Sequence, residues 1–407
     1  IFYWQIMPAY FANSLIKRFF VALDIFIIIV GAVFFLEVLS KTKIIDNISY
    51  YLEEFSKDYR VQVILLAWFF ESFLEGTAGF GTPSALVAPI LITLGMKPFT
   101  AVAIALLGNS ASVVFGAAGT PIRVGLAGLE IGNTAVYSSI FNFVGLLVPV
   151  FILWVLVSEK SNRRQQFFEA LPFALWSGFV FVSISFTTVF IGQEFPSIIG
   201  SLVSLLIVFI TTRFNIFTPK VTRKIKDVKD KVNTISFFEA LAPYLVLILL
   251  LIMGKIFLGS MTLTIFDGVK QSFNFFNPGW AFLLVGVPIS IVWEIRNKQR
   301  GLIRASSVKA FKRTIEPFLV IAFISTAIQL MIFSGKNFSG IPPLLDFLAG
   351  SITSFLLPFW APLVGAFGSF LTGSATVSNV MFGDLLQVAS QTIGFDSAKI
   401  LALALVG

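Results

Sequence analysis

Apolar runs long enough to cross a bilayer, separated by short polar stretches, account for most of the chain. A helix needs about 20 apolar residues to span hydrocarbon. Phe19 to Leu39 is the first clear span, following a connection that ends near Ile16. Lys41 to Arg60 is polar and amphipathic and reads as an interfacial helix. Val61 to Leu74 is too short to cross alone; it runs into a cluster of Gly, Thr, Ser and Pro, and Ala85 to Thr93 returns. Broken backbone at membrane depth is tolerated only when buried in protein or lining a wet cavity, so the pattern predicts a re-entrant helical hairpin with a non-helical tip.

Phe99 to Ala118, Thr134 to Val157, Phe167 to Ile191 and Ser197 to Thr212 are further predicted spans, followed by a basic linker, Arg213 to Ser236. Beyond it come spans at Phe237 to Leu258, Phe276 to Trp293 and Ile315 to Phe333, the last preceded by a second basic loop, Arg296 to Thr314. Ile341 to Leu357 reads as another interfacial helix, Phe359 to Gln391 as a second broken hairpin, and Lys399 to Gly407 as the opening of a last helix.

The two hairpins repeat each other. Ser72 to Ala78 (SFLEGTA) aligns with Ser369 to Ala375 (SFLTGSA), and Gly95 to Gly108 aligns with Gly394 to Gly407, with two more residues between the matching stretches in the second copy. The loops 40–60, 159–166, 213–236 and 295–314 hold four, three, seven and seven of the 29 Lys and Arg residues. The positive-inside bias makes these loops cytoplasmic, with Lys17 and Arg18 a mild exception. Lys97 then lies inside and Asp396 outside, so the repeats are expected to be inverted. The expected fold class is an all-α polytopic membrane protein with inverted repeats, each with a re-entrant helical hairpin and broken helices. The expected divisions are a first repeat at 17–158 containing the hairpin 61–93, connecting spans at 159–312 with the cytoplasmic linker 213–236, and a second repeat at 313–407 containing the hairpin 359–393.

Composition agrees with this reading. The chain is 57% hydrophobic and 12% charged with mean hydropathy +0.92, about half the charge of a soluble domain. Its 407 residues bound the spanning elements at about ten to twelve. The net charge of +8 sits in loops between spans, which argues against nucleic-acid binding. Cys and His are both absent. A thiol nucleophile, a thiolate metal site and the commonest general base are thereby excluded, and Asp, Glu, Lys or Tyr must carry any proton. No cofactor or metal is expected, and nothing points to an enzyme. No cleavable signal peptide is visible and the first residue is Ile1, so residues are expected to precede it.

Discontinuous helices in inverted repeats place a binding site near the midplane, where half-helix N-termini offer N–H groups to an anion. Tip 1 supplies Gly76, Thr77, Ala78, Gly79, Gly81 and Thr82; tip 2 supplies Thr372, Gly373, Ser374, Thr376, Ser378 and Asn379. Asn109 and Ser110 follow Gly108 within a predicted span and are candidates for the same cavity. The plainer alternative is that these small residues only let helices approach. Glu75, at the entry to tip 1, is a candidate for proton coupling or for a structural staple, while Glu71 reads as structural or cavity-facing. Asp24 is a second candidate for proton coupling or a charge pair, and Arg123 for a carboxylate contact or an interfacial anchor.

The strings FLEGTAGFGTP (73–83), NSASVVFGAAGTPI (109–122), EFPSIIGSLVSLL (194–206) and FLTGSATVSN (370–379) resemble the L-lactate permease family, which includes glycolate permeases, over nearly the whole chain. The resemblance implies a multi-pass protein of the bacterial inner membrane that imports L-lactate, glycolate and other 2-hydroxy monocarboxylates by proton symport, through an elevator or rocking motion. The implied partners are a small monocarboxylate anion, protons and membrane lipid, with a homo-oligomer left open. In that family the second tip usually reads TGSDTSSN. Here Ala375 stands at the Asp position and Val377 at a Ser. If that Asp carries the proton or binds a cation, this chain couples differently or favours another anion, and Asp384 substitutes only if it faces the cavity. Sodium-coupled organic-anion transport and a non-transporting sensor or scaffold remain the alternatives.

Overall fold

A computed structural model describes residues 3–79, 81–223, 235–258, 260–264, 270–352 and 355–407. Phe80 of tip 1 and the centre of the expected basic linker, 224–234, lie outside the described residues. The helices begin with α1 (Pro8–Lys41), α2 (Ile44–Phe55) and α3 (Tyr59–Ile64), which runs through a π-helical segment, Leu65–Phe70, into α4 (Glu71–Thr77). They continue with α5 (Thr82–Thr93), α6 (Pro98–Asn109), α7 (Gly116–Arg123), α8 (Thr134–Phe141) and α9 (Val148–Val157). Next come α10 (Arg163–Thr188), α11 (Ile198–Arg213) and α12 (Phe237–Phe257). A hairpin of β1 (Ser260–Thr264) and β2 (Lys270–Asn274), paired antiparallel from Ser260–Asn274 to Thr264–Lys270, precedes α13 (Pro278–Asn297). The last helices are α14 (Leu302–Phe333), α15 (Leu344–Ile352), α16 (Leu357–Thr372), α17 (Ala375–Thr392) and α18 (Ser397–Val406).

The architecture is that of an all-α polytopic membrane protein. Among the described residues six helical spans are long and apolar enough to cross a membrane, or seven if a bent pair counts as one. Four shorter apolar helices, Thr82–Thr93, Ile198–Arg213, Leu357–Thr372 and Ser397–Val406, supply half-length elements. The expected ten to twelve elements are therefore present only when interrupted and short helices are counted.

Three boundaries differ from the sequence reading. Helix α1 starts at Pro8, ahead of the expected connection's end, and carries Arg18 inside it; Gln329 Oε1 accepts from Arg18 Nε at 2.9 Å and the Asp384 carboxylate lies 3.9 Å from the guanidinium. The expected basic loop 296–314 is largely the first half of α14. Lys309 and Arg313, four residues apart on one helix face, reach Glu37 at 2.6 and 3.4 Å. The span expected at 99–118 ends as a helix at Asn109.

The two aligned stretches close their helices with the same local geometry. The N–H groups of Gly95 and Met96 donate to the carbonyls of Ile92 and Leu91, and those of Gly394 and Phe395 donate to Gln391 and Ser390, the same two bonds at aligned positions. Both glycines are left-handed, at φ 90° and 72°. They close α5 and α17 as helix-terminating caps. Lys97 and Asp396 then start the next helix from extended backbone. The tips differ: residues 78–81 separate α4 from α5, whereas only Gly373 and Ser374 separate α16 from α17.

The chain divides into two compact units, residues 39–119 with 139–245, and residues 1–38 with 120–138 and 246–407. The first holds tip 1 and is called the tip-1 unit. All six π-helical residues are buried there, and the Trp68 ring packs 4.8 Å from that of Phe181. The second holds tip 2. In it Gly279 of α13 lies against the Ile27 carbonyl of α1, and Gly365 of α16 against the Ala404 carbonyl of α18, approaches that a side chain would block.

Candidate functional site

In the tip-1 unit the chain descends through α3, the π segment and α4, then turns back into α5. A π turn widens the helix locally and is frequent at functional sites. The turn back is fixed by Ser84, whose hydroxyl donates to Glu71 Oε1 at 2.6 Å. Helix α6 closes onto this helix at Gly108, which faces the Ala67 carbonyl and lies 3.2 Å, measured from an added Cβ, from Glu71 Oε2. The next residue, Asn109, has its side chain beside the Glu75 carboxylate. Gly116 leaves room for that carboxylate on another side.

Near the start of α7 the backbone kinks through three consecutive left-handed residues, Ala117, Ala118 and Gly119 (φ 42°, 53° and 74°). For alanine this conformation is strained by about 1–2 kcal/mol per residue. The strain is over-determined by packing, since Gly79 sits against Ala117 and Gly119 against the Gln193 carbonyl. Ser197 Oγ donates to the Ser112 carbonyl at 2.7 Å and Asn142 Nδ2 to the Ala111 carbonyl at 2.8 Å, satisfying groups the break exposes.

The tip-1 candidates Gly76, Thr77, Ala78 and Gly79 are buried, Thr82 is half-buried and Gly81 is exposed. Gly76 sits against the Ile198 backbone at 2.7 Å from an added Cβ. The Thr77 hydroxyl donates to its own helix at Phe73 and Leu74, and that of Thr82 to Gly79. Asn109 is buried near Glu75, while Ser110 is exposed with its hydroxyl on the Leu107 carbonyl.

Tip 2 is built similarly. Left-handed Gly373 ends α16, and Ser374 caps α17 by accepting from the Val377 N–H. The Thr372 hydroxyl donates to Gly368 and that of Ser378 to Gly365. Asn379 Nδ2 donates to the Pro121 carbonyl at 3.0 Å, and Thr376 is buried. Most of the candidate hydroxyls thus serve helix carbonyls as donors. The first-turn N–H groups of a helix lie outside its own ladder. These include the N–H of Ser84 in α5 and those of Ala375 and Thr376 in α17.

Asp24 belongs to a separate cluster in the tip-2 unit. Its Oδ1 accepts from Asn277 Nδ2 at 2.7 Å, and its Oδ2 lies 3.8 Å from Arg123. Arg123 also donates to the Phe276 carbonyl and covers the Phe276 ring at 5.3 Å. The contact between Asp24 and Arg123 is that of a charge pair. Sequence reasoning passed over Ser84, Gly116 and the left-handed alanines. The Gly-Thr-Pro at 119–121 is the one local signal from which this break could have been read.

The L-lactate permease family model matches residues 1–266 and 260–407, the whole chain. The chain belongs to the L-lactate permease family. Similar proteins include an L-lactate permease of Streptococcus iniae, 29% identical over 91% of this chain and 78% of the relative. The L-lactate permease of Bacillus subtilis strain 168 is 27% identical over 91% and 73%, and that of Escherichia coli strain K12 is 27% identical over 93% and 74%. No solved structure matches. As a member of this permease family the chain is a multi-pass integral membrane protein, in keeping with its long apolar helices.

Proposed function

We propose that the chain imports L-lactate, and with it glycolate and related 2-hydroxy monocarboxylates, by proton symport across a bacterial inner membrane. The observation that carries this reading is the joint one of family and geometry: a chain matched throughout by L-lactate permeases buries Glu75 against Gly116 beside a broken hairpin. Helix N-terminal N–H groups at a tip are the donors that suit the substrate carboxylate, with Thr77 nearest the turn in one unit and Ser374 nearest the turn in the other. Glu75 is the preferred proton carrier, since among the described residues no Lys or Arg forms an ion pair with it. Asp24, facing Arg123, acts as a fixed counter-charge. The distribution of Lys and Arg between loops supports inverted repeats.

Proteoliposomes holding the purified protein test this. Labelled L-lactate should accumulate under an inward proton gradient, and unlabelled glycolate should compete. Uptake that survives a protonophore but needs sodium would replace proton coupling by sodium coupling. No uptake under either gradient would sink the transport reading.

A further inference from the structure

The tip-1 unit gathers three oxygens that are buried and lack a hydrogen-bond partner: Glu71 Oε2, Glu75 Oε2 and Asn109 Oδ1. Their residues are 0%, 3% and 8% exposed. Glu71 and Glu75 are four residues apart in α4 and share one helix face. Gly108 and Asn109, consecutive at the end of α6, touch both: Glu71 Oε2 is 3.2 Å from an added Gly108 Cβ, and the Asn109 side chain lies beside Glu75. The oxygens therefore converge on the α6 C-terminus.

The residues that face this cluster carry no positive charge to balance its two carboxylates. Ser84 faces it from α5, Gly108 and Asn109 from α6, Gly116 from the broken segment, and Ser197 with Ile198 line the neighbouring start of α11; none is cationic. The carbonyl end of α6 adds partial negative charge. Two ionised carboxylates cannot coexist there uncompensated, because an unpaired buried charge is strongly unfavourable and like charges reinforce the penalty. The arrangement suits a small hard cation, which oxygen donors and helix C-termini hold in transporters.

We propose that Glu71, Glu75 and Asn109 together form the site of one coupling cation, a proton or Na⁺, distinct from the anion-holding helix N-termini. The inference rests on the transport reading above and deepens it: Glu71 is a full partner of Glu75, and the site belongs to one repeat only. Aligned with Glu71 and Glu75 the second repeat has Gly368 and Thr372. As a proton the cation sits on Oε2 of either Glu with Asn109 Oδ1 as acceptor; as Na⁺ it is shared by all three oxygens.

The test compares gradient-driven L-lactate accumulation with lactate–lactate exchange in proteoliposomes, for wild type, Glu71→Gln, Glu75→Gln and, as control, the exposed Glu159→Gln. Each buried variant should lower accumulation at least tenfold more than it lowers exchange, and the control should lower neither. Imposed pH gradients and imposed sodium gradients with protonophore tell the two cations apart. Buried variants that accumulate like wild type, or lose exchange and accumulation equally, would overturn the site; a wild type inert in both assays overturns the transport reading as well. Carbodiimide labelling of the wild-type protein, mapped by mass spectrometry, covers variants that fail to fold. Label on Glu71 or Glu75 that falls at least fivefold with rising pH or with added Na⁺ supports the site, and label indifferent to both contradicts it.

Discussion

The Glu75 carboxylate occupies the space that a side chain on Gly116 would need. Gly116 has ordinary extended backbone, so its substitution tests that space without adding strain. Gly116→Ala should displace the carboxylate and destabilise the protein by about 1–3 kcal/mol, as overpacking does. Thermal unfolding in detergent should register the loss, and lactate uptake should fall with it.

Arg60 is fully buried at the base of the tip-1 hairpin. Asp58 and Glu169 hold it at 2.7 and 2.8 Å, and it donates to the carbonyls of Gln166 and Val221. Arg223, within the linker, meets the same Glu169 at 2.9 Å. Arg60→Ala would leave carboxylates facing an empty site at a cost of about 3–5 kcal/mol. Arg60→Lys should recover little, because one ammonium cannot reproduce the forked contacts. Detergent melting curves for the two variants would check this ordering.

Ala118 is buried in a left-handed conformation. Ala118→Gly should be tolerated within about 1 kcal/mol, because relief of strain offsets the lost methyl. Ala118→Val should destabilise by at least about 2 kcal/mol, since a β-branched residue resists this conformation and adds volume. Equal stability of the two variants would contradict the geometry of the break.

Asp24 and Arg123, 3.8 Å apart, make a specific electrostatic pair. A double-mutant cycle of Asp24→Asn and Arg123→Met should give a coupling of about 0.5–3 kcal/mol. Additive effects would show that Arg123 depends on the Phe276 carbonyl and ring alone.

The all-α membrane-spanning class was legible because hydrocarbon leaves few choices: spans show as long apolar runs. The aligned caps at Gly95 and Gly394 were readable for the same reason, since left-handed helix ends favour glycine. The break at Ala117–Ala118 was not, because alanine carries no signal for that conformation and packing against Gly79 imposes it. Lys309 and Arg313 marked a polar stretch without revealing that it is helical and docks on Glu37. Glu71 read as structural or cavity-facing, and its neighbours Ser84 and Gly108 come from two other helices, which spacing along the chain does not encode.

The central claim, that entry of the anion is tied to entry of a proton, is tested most directly by reading luminal pH in proteoliposomes given an inward L-lactate gradient, with no imposed pH gradient and no sodium. The account predicts acidification of the lumen that follows lactate entry. Lactate entry without a change in luminal pH would contradict it.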